Sequence, residues 1–330
     1  MTRALTISLL FFISILTAQT VVIKGTADKS YYNKTITAFT YSDYVSKHEL
    51  ELSSSAIDDS GKFELKFSTE KTIYVFLIAN GCRAEIYCEP NRIYETSMMP
   101  KDKKAIETVG NEVPVELIFL SGDTLELNYL IAFYNEKQEN FINNNIDLIQ
   151  NNSSMLKPKL DTFVVRMNRK LANIPNKSYR NYVSYSLASL QEKCDFKNRE
   201  ELFDKYIKHK PIVYESPEYM NFIGVFFNPV IVSLTESGVL QKQINSVENY
   251  QTYLISFSPN KYLSKNDTLR ELVALKALRD AYSNPIFNKD RIIGMLESAI
   301  NESKISAHKQ IAQNLFTELN RMQVGTKPPA

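Results

Sequence analysis

The spacing of hydrophobic residues changes partway along the chain, and this change limits the fold more than any other feature. Over residues 20–99 hydrophobic and polar residues alternate, as Phe63, Leu65 and Phe67 do with the charged residues between them. A period of two buries one face of a β-strand. After residue 121 the period becomes 3.6, which is typical of helices with one buried face. The sequence therefore predicts an α+β chain of two domains.

The first domain is predicted to be a small antiparallel β-sandwich over residues 20–110. The run Asp58-Asp59-Ser60-Gly61 is a turn signal between two alternating segments, which indicates a hairpin. Seven short strands with turns between them are typical of a sandwich. They are predicted near residues 21–25, 35–41, 49–52, 63–67, 73–79, 84–88 and 92–98.

The second domain is predicted to be all-α over residues 111–322. A chain of 330 residues is long for one core, which supports a division into two domains. The charged stretch Lys101–Lys104, followed by Gly110, marks the changeover. Prolines then divide the remaining sequence into helices of ordinary length.

Three signals predict where helices begin and end. Ser121-Gly122-Asp123 predicts the start of the first helix, and Thr268 with Glu271 has the spacing of a capping box. The uncharged segment Tyr219–Leu234 is shorter than a membrane span, and Asn228-Pro229 is expected to break a helix in its middle. We interpret this segment as buried core.

The N-terminus has the features of a secretory signal peptide over residues 1–19. Arg3 supplies a positive charge, Leu5–Leu16 is an uncharged apolar run, and Thr17-Ala18-Gln19 offers small residues for cleavage. A retained membrane anchor is the alternative, but the apolar run is shorter than the roughly 20 residues that a span needs. We expect export to the periplasm or cell envelope, and no membrane span after the signal is removed.

Composition argues against nucleic acid and nucleotides as ligands. There are 39 Lys and Arg against 37 Asp and Glu, a net charge of +2, and no clustered basic segment. The 9 glycines form neither G-x-G-x-x-G nor G-x-x-x-x-G-K-[ST]. No nucleic-acid partner and no cofactor are predicted.

Cysteines and histidines do not form a recognisable reactive site. Cys82, Cys88 and Cys194 include no C-x-x-C pair, so no redox dithiol is predicted. Cys82 and Cys88 on one strand would lie about 20 Å apart, too far for a disulfide unless a turn separates them. The three histidines are scattered: His48, His209 and His308. His308 shares a helical face with hydrophobic residues and is interpreted as a core histidine, so no catalytic, cofactor-binding or metal-binding residue is assigned.

The C-terminal residues carry the one family resemblance. Gly325 and Pro329 match the G-x-x-A-P-x-F stretch that opens the thioredoxin-like domain of TlpA/ResA-type thiol–disulfide reductases, with Pro328 in place of Ala. The order of signal peptide, β-domain, helical region and linker also resembles one branch of that family. The family's C-x-x-C follows this linker and is absent here. The resemblance implies that residues 323–330 are a linker and that the chain is a non-catalytic accessory region.

Such a region is expected to position the thioredoxin-like domain or to select its partners, which implies that the partner is a protein. A free-standing envelope module that binds a glycan or peptide is the main alternative. The many aromatic residues, 19 Tyr and 18 Phe, are interpreted mainly as core packing. A structural adaptor and a hydrolase of unrecognised type remain further alternatives. The sequence does not indicate an oligomeric state.

Overall fold

The computed structural model describes residues 19–101, 112–194, 199–246 and 249–321. Within these ranges nine strands are followed by eleven helices, so the prediction of an α+β chain is confirmed. Residues 1–18 of the predicted signal peptide and the predicted linker at 323–330 lie outside the described residues.

The strands are β1 (Thr20–Ala27), β2 (Thr35–Tyr41), β3 (Glu49–Ala56), β4 (Lys62–Ser68), β5 (Ile73–Ala79), β6 (Cys82–Cys88), β7 (Ile93–Met98), β8 (Val113–Pro114) and β9 (Leu117–Phe119). The helices are α1 (Leu127–Asn143), α2 (Ile146–Gln150), α3 (Leu156–Ala172), α4 (Lys177–Cys194), α5 (Arg199–Tyr206), α6 (Pro217–Glu236), α7 (Val239–Ser246), α8 (Tyr250–Ile255), α9 (Asp267–Tyr282), α10 (Lys289–Glu302) and α11 (Ser306–Arg321).

The strands form two sheets with the orders β4-β1-β7-β9 and β3-β2-β5-β6-β8, which we name the first and second sheet. Both sheets contribute hydrophobic residues to one core. The prediction of purely antiparallel sheets is wrong, because β1 pairs with β7 in parallel and β6 pairs with β8 in parallel. Alternation shows which face of a strand is buried, but it does not show which strand lies beside it or in which direction.

The β-structure extends past the predicted boundary at residue 110. β8 pairs with β6, and β9 pairs with β7. These strands have two and three residues, too few to show a period of two in the sequence. The first helix begins at Leu127 and not at Ser121-Gly122-Asp123. Glu126 is its N-cap, because the Glu126 side chain accepts hydrogen bonds from the backbone N–H groups of Asn128 and Tyr129.

The predicted capping box at Thr268 and Glu271 is also wrong. The N-cap of α9 is Asn266, whose side chain accepts a hydrogen bond from the backbone N–H of Leu269. Glu271 is buried and lies beside His308. An Asn two residues before Thr268 offers the same capping chemistry, so the helix starts earlier and Glu271 is free to face the core.

Helix α6 contains the uncharged segment, whose predicted burial is confirmed by seven buried side chains. The predicted break at Pro229 is wrong, because α6 continues to Glu236. The guanidinium of Arg199 donates to the backbone carbonyl of Phe226, one turn before the proline. It supplies a donor where the proline ring disturbs the helical hydrogen bonds. Among the described residues no single helix has the length and hydropathy needed to cross a membrane. Helices α6 and α7 meet these two criteria only when taken together, as a pair bent by 74°.

The loop between β2 and β3 joins the sheets to the helices. Val45 from this loop packs in the helical core. The carboxylate of Asp43 accepts a 2.9 Å hydrogen bond from the side-chain amide of Asn314, and His48 Nδ1 lies 2.6 Å from Glu318 Oε1. The second sheet is thereby held against the helices with its outer face turned towards them.

Candidate functional site

The three cysteines lie on two different elements of the fold. Cys82 and Cys88 begin and end β6 and are buried, and Cys194 is the half-buried last residue of α4. Burial, with smaller contributions from the negative charges of Glu126 and Glu89, raises the pKa of the Cys88 thiol well above its ordinary value. A thiol with a raised pKa is a poor nucleophile, because the thiolate is the reactive form.

The three histidines lie in different surroundings. His308 is fully buried, as predicted, with Nε2 2.8 Å from the hydroxyl of Tyr214 and Nδ1 3.1 Å from Glu271 Oε2. Burial raises the pKa of Glu271, but hydrogen bonds from His308 and Ser303 outweigh it and lower the pKa below its usual value. His209 lies in an exposed turn, and the described residues contain no cluster of three or more potential metal ligands.

A cleft of about 1160 Å³ lies between the outer face of the second sheet and helices α4, α6 and α9, and we name it the seam cleft. No cysteine or histidine lines it. Its lining combines aromatic, amide and charged side chains, among them Tyr41, Tyr44, Lys47, Tyr74, Arg83, Glu85, Tyr182, Ser186, Glu192, Lys193, Glu218, Asn221, Gly224, Asn228, Lys276 and Arg279.

The floor of the seam cleft is organised around Arg83 on β6. Its guanidinium carbon lies 3.6 Å from the ring centroid of Phe76, which is stabilising for a cation over an aromatic face. The same guanidinium donates to the hydroxyls of Tyr41 and Tyr74 at 3.0 and 3.3 Å. It is also paired with Glu112 at 3.2 Å. Arg83 is therefore fixed in place before any ligand arrives.

One wall of the seam cleft is built from Tyr74, Tyr182 and Glu218, all of which contact Tyr87. The hydroxyl of Tyr87 donates to Glu218 near the start of α6. The ring of Tyr87 meets Tyr74 and Tyr182 edge to face, with centroids 5.4 and 5.6 Å apart. Burial raises the pKa of Glu218, against the lowering effect of the Tyr87 hydrogen bond. The wall joins β6 to α4 and α6 through direct contacts.

The opposite end of the seam cleft is basic. Lys276 and Arg279 on α9 line it together with Lys47 from the loop between β2 and β3. Gly224 on α6 makes room for Lys276, since a Cβ atom there would lie 3.3 Å from Lys276 Cε. Burial, and then repulsion from Arg279 and Arg83, lower the pKa of Lys47 below its ordinary value.

A buried ion pair closes the far edge of the seam cleft. Glu192 on α4 is only 2% exposed and pairs with Arg199 on α5. Burial raises the pKa of Glu192 to about 7, although Arg199 opposes the shift. Among the described residues Glu192 Oε2 has no hydrogen-bond partner. A carboxyl group with this pKa is a potential general acid or base, but Glu192 is held by Arg199 and packed between helices.

The seam cleft is suited to binding. It offers a fixed guanidinium, three lysines, a second arginine and amide groups, which are groups that orient a polar ligand. Sequence reasoning missed it, because its residues come from segments spread between positions 41 and 279. The aromatic residues of β2, β5 and β6 were the one available signal, since they lie on the face opposite to the one that packs between the sheets.

The sequence matches no family model. It also matches no curated protein.

Proposed function

We propose that this chain is the exported, non-catalytic partner-binding region of a TlpA/ResA-type thiol–disulfide reductase, formed by a β-sandwich and a helical domain. It binds a protein partner in the seam cleft and presents it to a thioredoxin-like domain. The observation that carries the proposal is the seam cleft itself, a large polar cleft with a preformed guanidinium at its floor. The family assignment rests on the resemblance of residues 323–330 and on the order of the segments.

The state of the cysteines supports an accessory role. Disulfide exchange needs an accessible thiolate with a lowered pKa. Cys82 and Cys88 are buried, and the pKa of Cys88 is raised. Any thiol chemistry is therefore expected to come from a C-x-x-C domain that acts together with this chain.

The test fuses a C-x-x-C thioredoxin-like domain after Ala330 and measures reduction of disulfide-linked peptides of acidic, neutral and basic sequence. We expect the fusion to have a KM at least about tenfold lower than the isolated domain for one of these classes, which corresponds to about 1.4 kcal/mol. Ser186→Trp places a large side chain in the seam cleft and is expected to abolish this advantage while kcat is retained.

Ser184→Trp is the matched control, because Ser184 lies on the same helix but does not line the seam cleft. Residues two apart on a helix point to different faces. Equal KM values for the fusion and the isolated domain would contradict the proposal. Equal effects of the two Trp variants would contradict the location.

A free-standing binding module is the second candidate, because the seam cleft would serve it equally well. It predicts that the chain binds its ligand with the same affinity whether or not the thioredoxin-like domain is attached, and that attachment brings no gain in disulfide reduction. Comparing peptide affinity and reduction rate in the same fusion separates the two candidates.

A further inference from the structure

Among the described residues, three cations that line the seam cleft form no ion pair with a carboxylate: Lys47, Lys193 and Arg279. Lys276 pairs with Asp280, and Arg83 pairs with Glu112. The side chains of Lys47 and Arg279 make no ion pair with any described residue, although both line the cleft. The chain contains 37 Asp and Glu for 39 Lys and Arg, so the sequence has enough carboxylates to pair with these cations.

Lys47 and Arg279 line the same cleft from two different elements, the loop between β2 and β3 and helix α9. The charges of Arg279 and Arg83 both act on Lys47 strongly enough to contribute to the lowering of its pKa, after the larger effect of burial. Like charges in a partly buried site repel one another. A bound anion reduces this repulsion and supplies the negative charge that the two cations lack.

We propose that the seam cleft binds an extended protein segment through an acidic side chain, with Lys47 and Arg279 as its cationic contacts. This inference rests on the proposed function and names the chemistry of the partner. Arg83 is already committed to Glu112 and to two tyrosine hydroxyls, so it supports the positive field without being the primary contact.

The lining favours a peptide over a glycan. Sugar rings need an open aromatic face, but the lining residue Tyr41 stacks with Tyr74 and meets Tyr44 edge to face. The volume of about 1160 Å³ exceeds the usual range of sites for single small molecules. Asn221 and Asn228 line the cleft with amide groups, which can bond the N–H and C=O groups of an extended backbone.

The test uses the full chain and fluorescence anisotropy with three labelled peptides: alternating Glu and Ser, alternating Gln and Ser, and alternating Lys and Ser. We expect the Glu peptide to bind at least about tenfold more tightly than the Gln peptide, a difference of about 1.4 kcal/mol. Lys47→Glu and Arg279→Glu are each expected to weaken the Glu peptide by at least about tenfold. Lys47→Arg and Arg279→Lys keep the charge and are expected to retain most of the affinity.

Lys242→Glu is the matched control, because Lys242 is an exposed lysine on α7 outside the seam cleft. An equal loss in Lys242→Glu would mean a general charge effect and overturn the site. Tighter binding of an acidic oligogalacturonate than of the Glu peptide would overturn the peptide assignment. No preference for the Glu peptide over the Gln peptide would overturn the inference, and so would no binding at all. The proposed function would survive these results if Ser186→Trp still abolished the KM advantage of the fusion.

Discussion

Replacing Arg199 by Met is expected to lower the free energy of unfolding by about 3–5 kcal/mol at about pH 8, where the buried carboxyl group of Glu192 is ionised in the unsubstituted chain and the variant leaves it without its cation. The substitution also removes the hydrogen-bond donor to the backbone carbonyl of Phe226, one turn before Pro229. Methionine keeps a similar length, so packing changes little. Urea unfolding followed by far-ultraviolet circular dichroism measures the loss.

The loss is expected to depend on pH. The pKa of Glu192 is about 7 in the folded chain against 4.5 for an ordinary glutamate, so the folded state holds its proton to higher pH. A carboxyl group whose pKa is raised in this way does not change the free energy of unfolding below about pH 4. It destabilises the fold progressively between about pH 4.5 and 7, and by up to about 3 kcal/mol above that. Removing Arg199 raises the pKa of Glu192 further, so the deficit of the Met variant is expected to be larger at about pH 8 than at about pH 6.

Glu192→Gln is the control, since it removes the titrating group from the same position. Its stability is expected to fall less than that of the unsubstituted chain between about pH 5 and 7. If the Met variant lost less than about 1 kcal/mol at both pH values, Glu192 and Arg199 would not form a buried pair. The account of how α4, α5 and α6 are joined would then be wrong.

The second large effect is expected for Gly25→Ala on β1, which lies between β4 and β7. A Cβ atom at Gly25 would overlap the carbonyl oxygen of Thr96 on β7 and lie 2.8 Å from its carbonyl carbon. Thr96 is fully buried, so β1 and β7 must separate to admit a methyl group. The expected loss is about 3 kcal/mol, at the upper end for overpacking, measured by urea unfolding.

Gly294→Ala on α10 is the matched control, because a Cβ atom there meets nothing within 4 Å. Alanine is the better helix former, so this variant is expected to gain about 0.5–1 kcal/mol. Equal and small effects of the two substitutions would contradict the close parallel pairing of β1 with β7.

The strands were predictable where one face is buried, and their arrangement was not. β4 alternates strictly, and its buried residues Phe63, Leu65 and Phe67 were identified from the pattern. The parallel pairing of β1 with β7 brings together segments about seventy residues apart. The sign of this pairing in the sequence is Gly25, because a residue without a side chain lets the two strands approach closely. In the turn before Pro229, α6 receives a hydrogen bond from Arg199 on another helix, a contact that local propensity does not show, so propensity alone predicted a break.

The seam cleft was not predictable for the same reason. Tyr74 and Phe76 break the alternation of β5, which indicates burial on both faces but not what covers the second face. Val45 packs in the helical core although it comes from a loop of the β-region. Lys47 looks like an ordinary surface lysine in the sequence. It lines the seam cleft together with Arg279 only because that loop docks on the helices.

The central claim is that the seam cleft is the site where this chain binds its partner. An environment-sensitive fluorophore attached to Ser186→Cys, in a chain with Cys194→Ser to prevent a second label, reports on the cleft directly. The account predicts a saturable spectral shift on titration with the Glu peptide, with the same midpoint as the anisotropy measurement, and no shift for a label at Ser184→Cys. Peptide binding by anisotropy with a shift at Ser184 and none at Ser186 would contradict it.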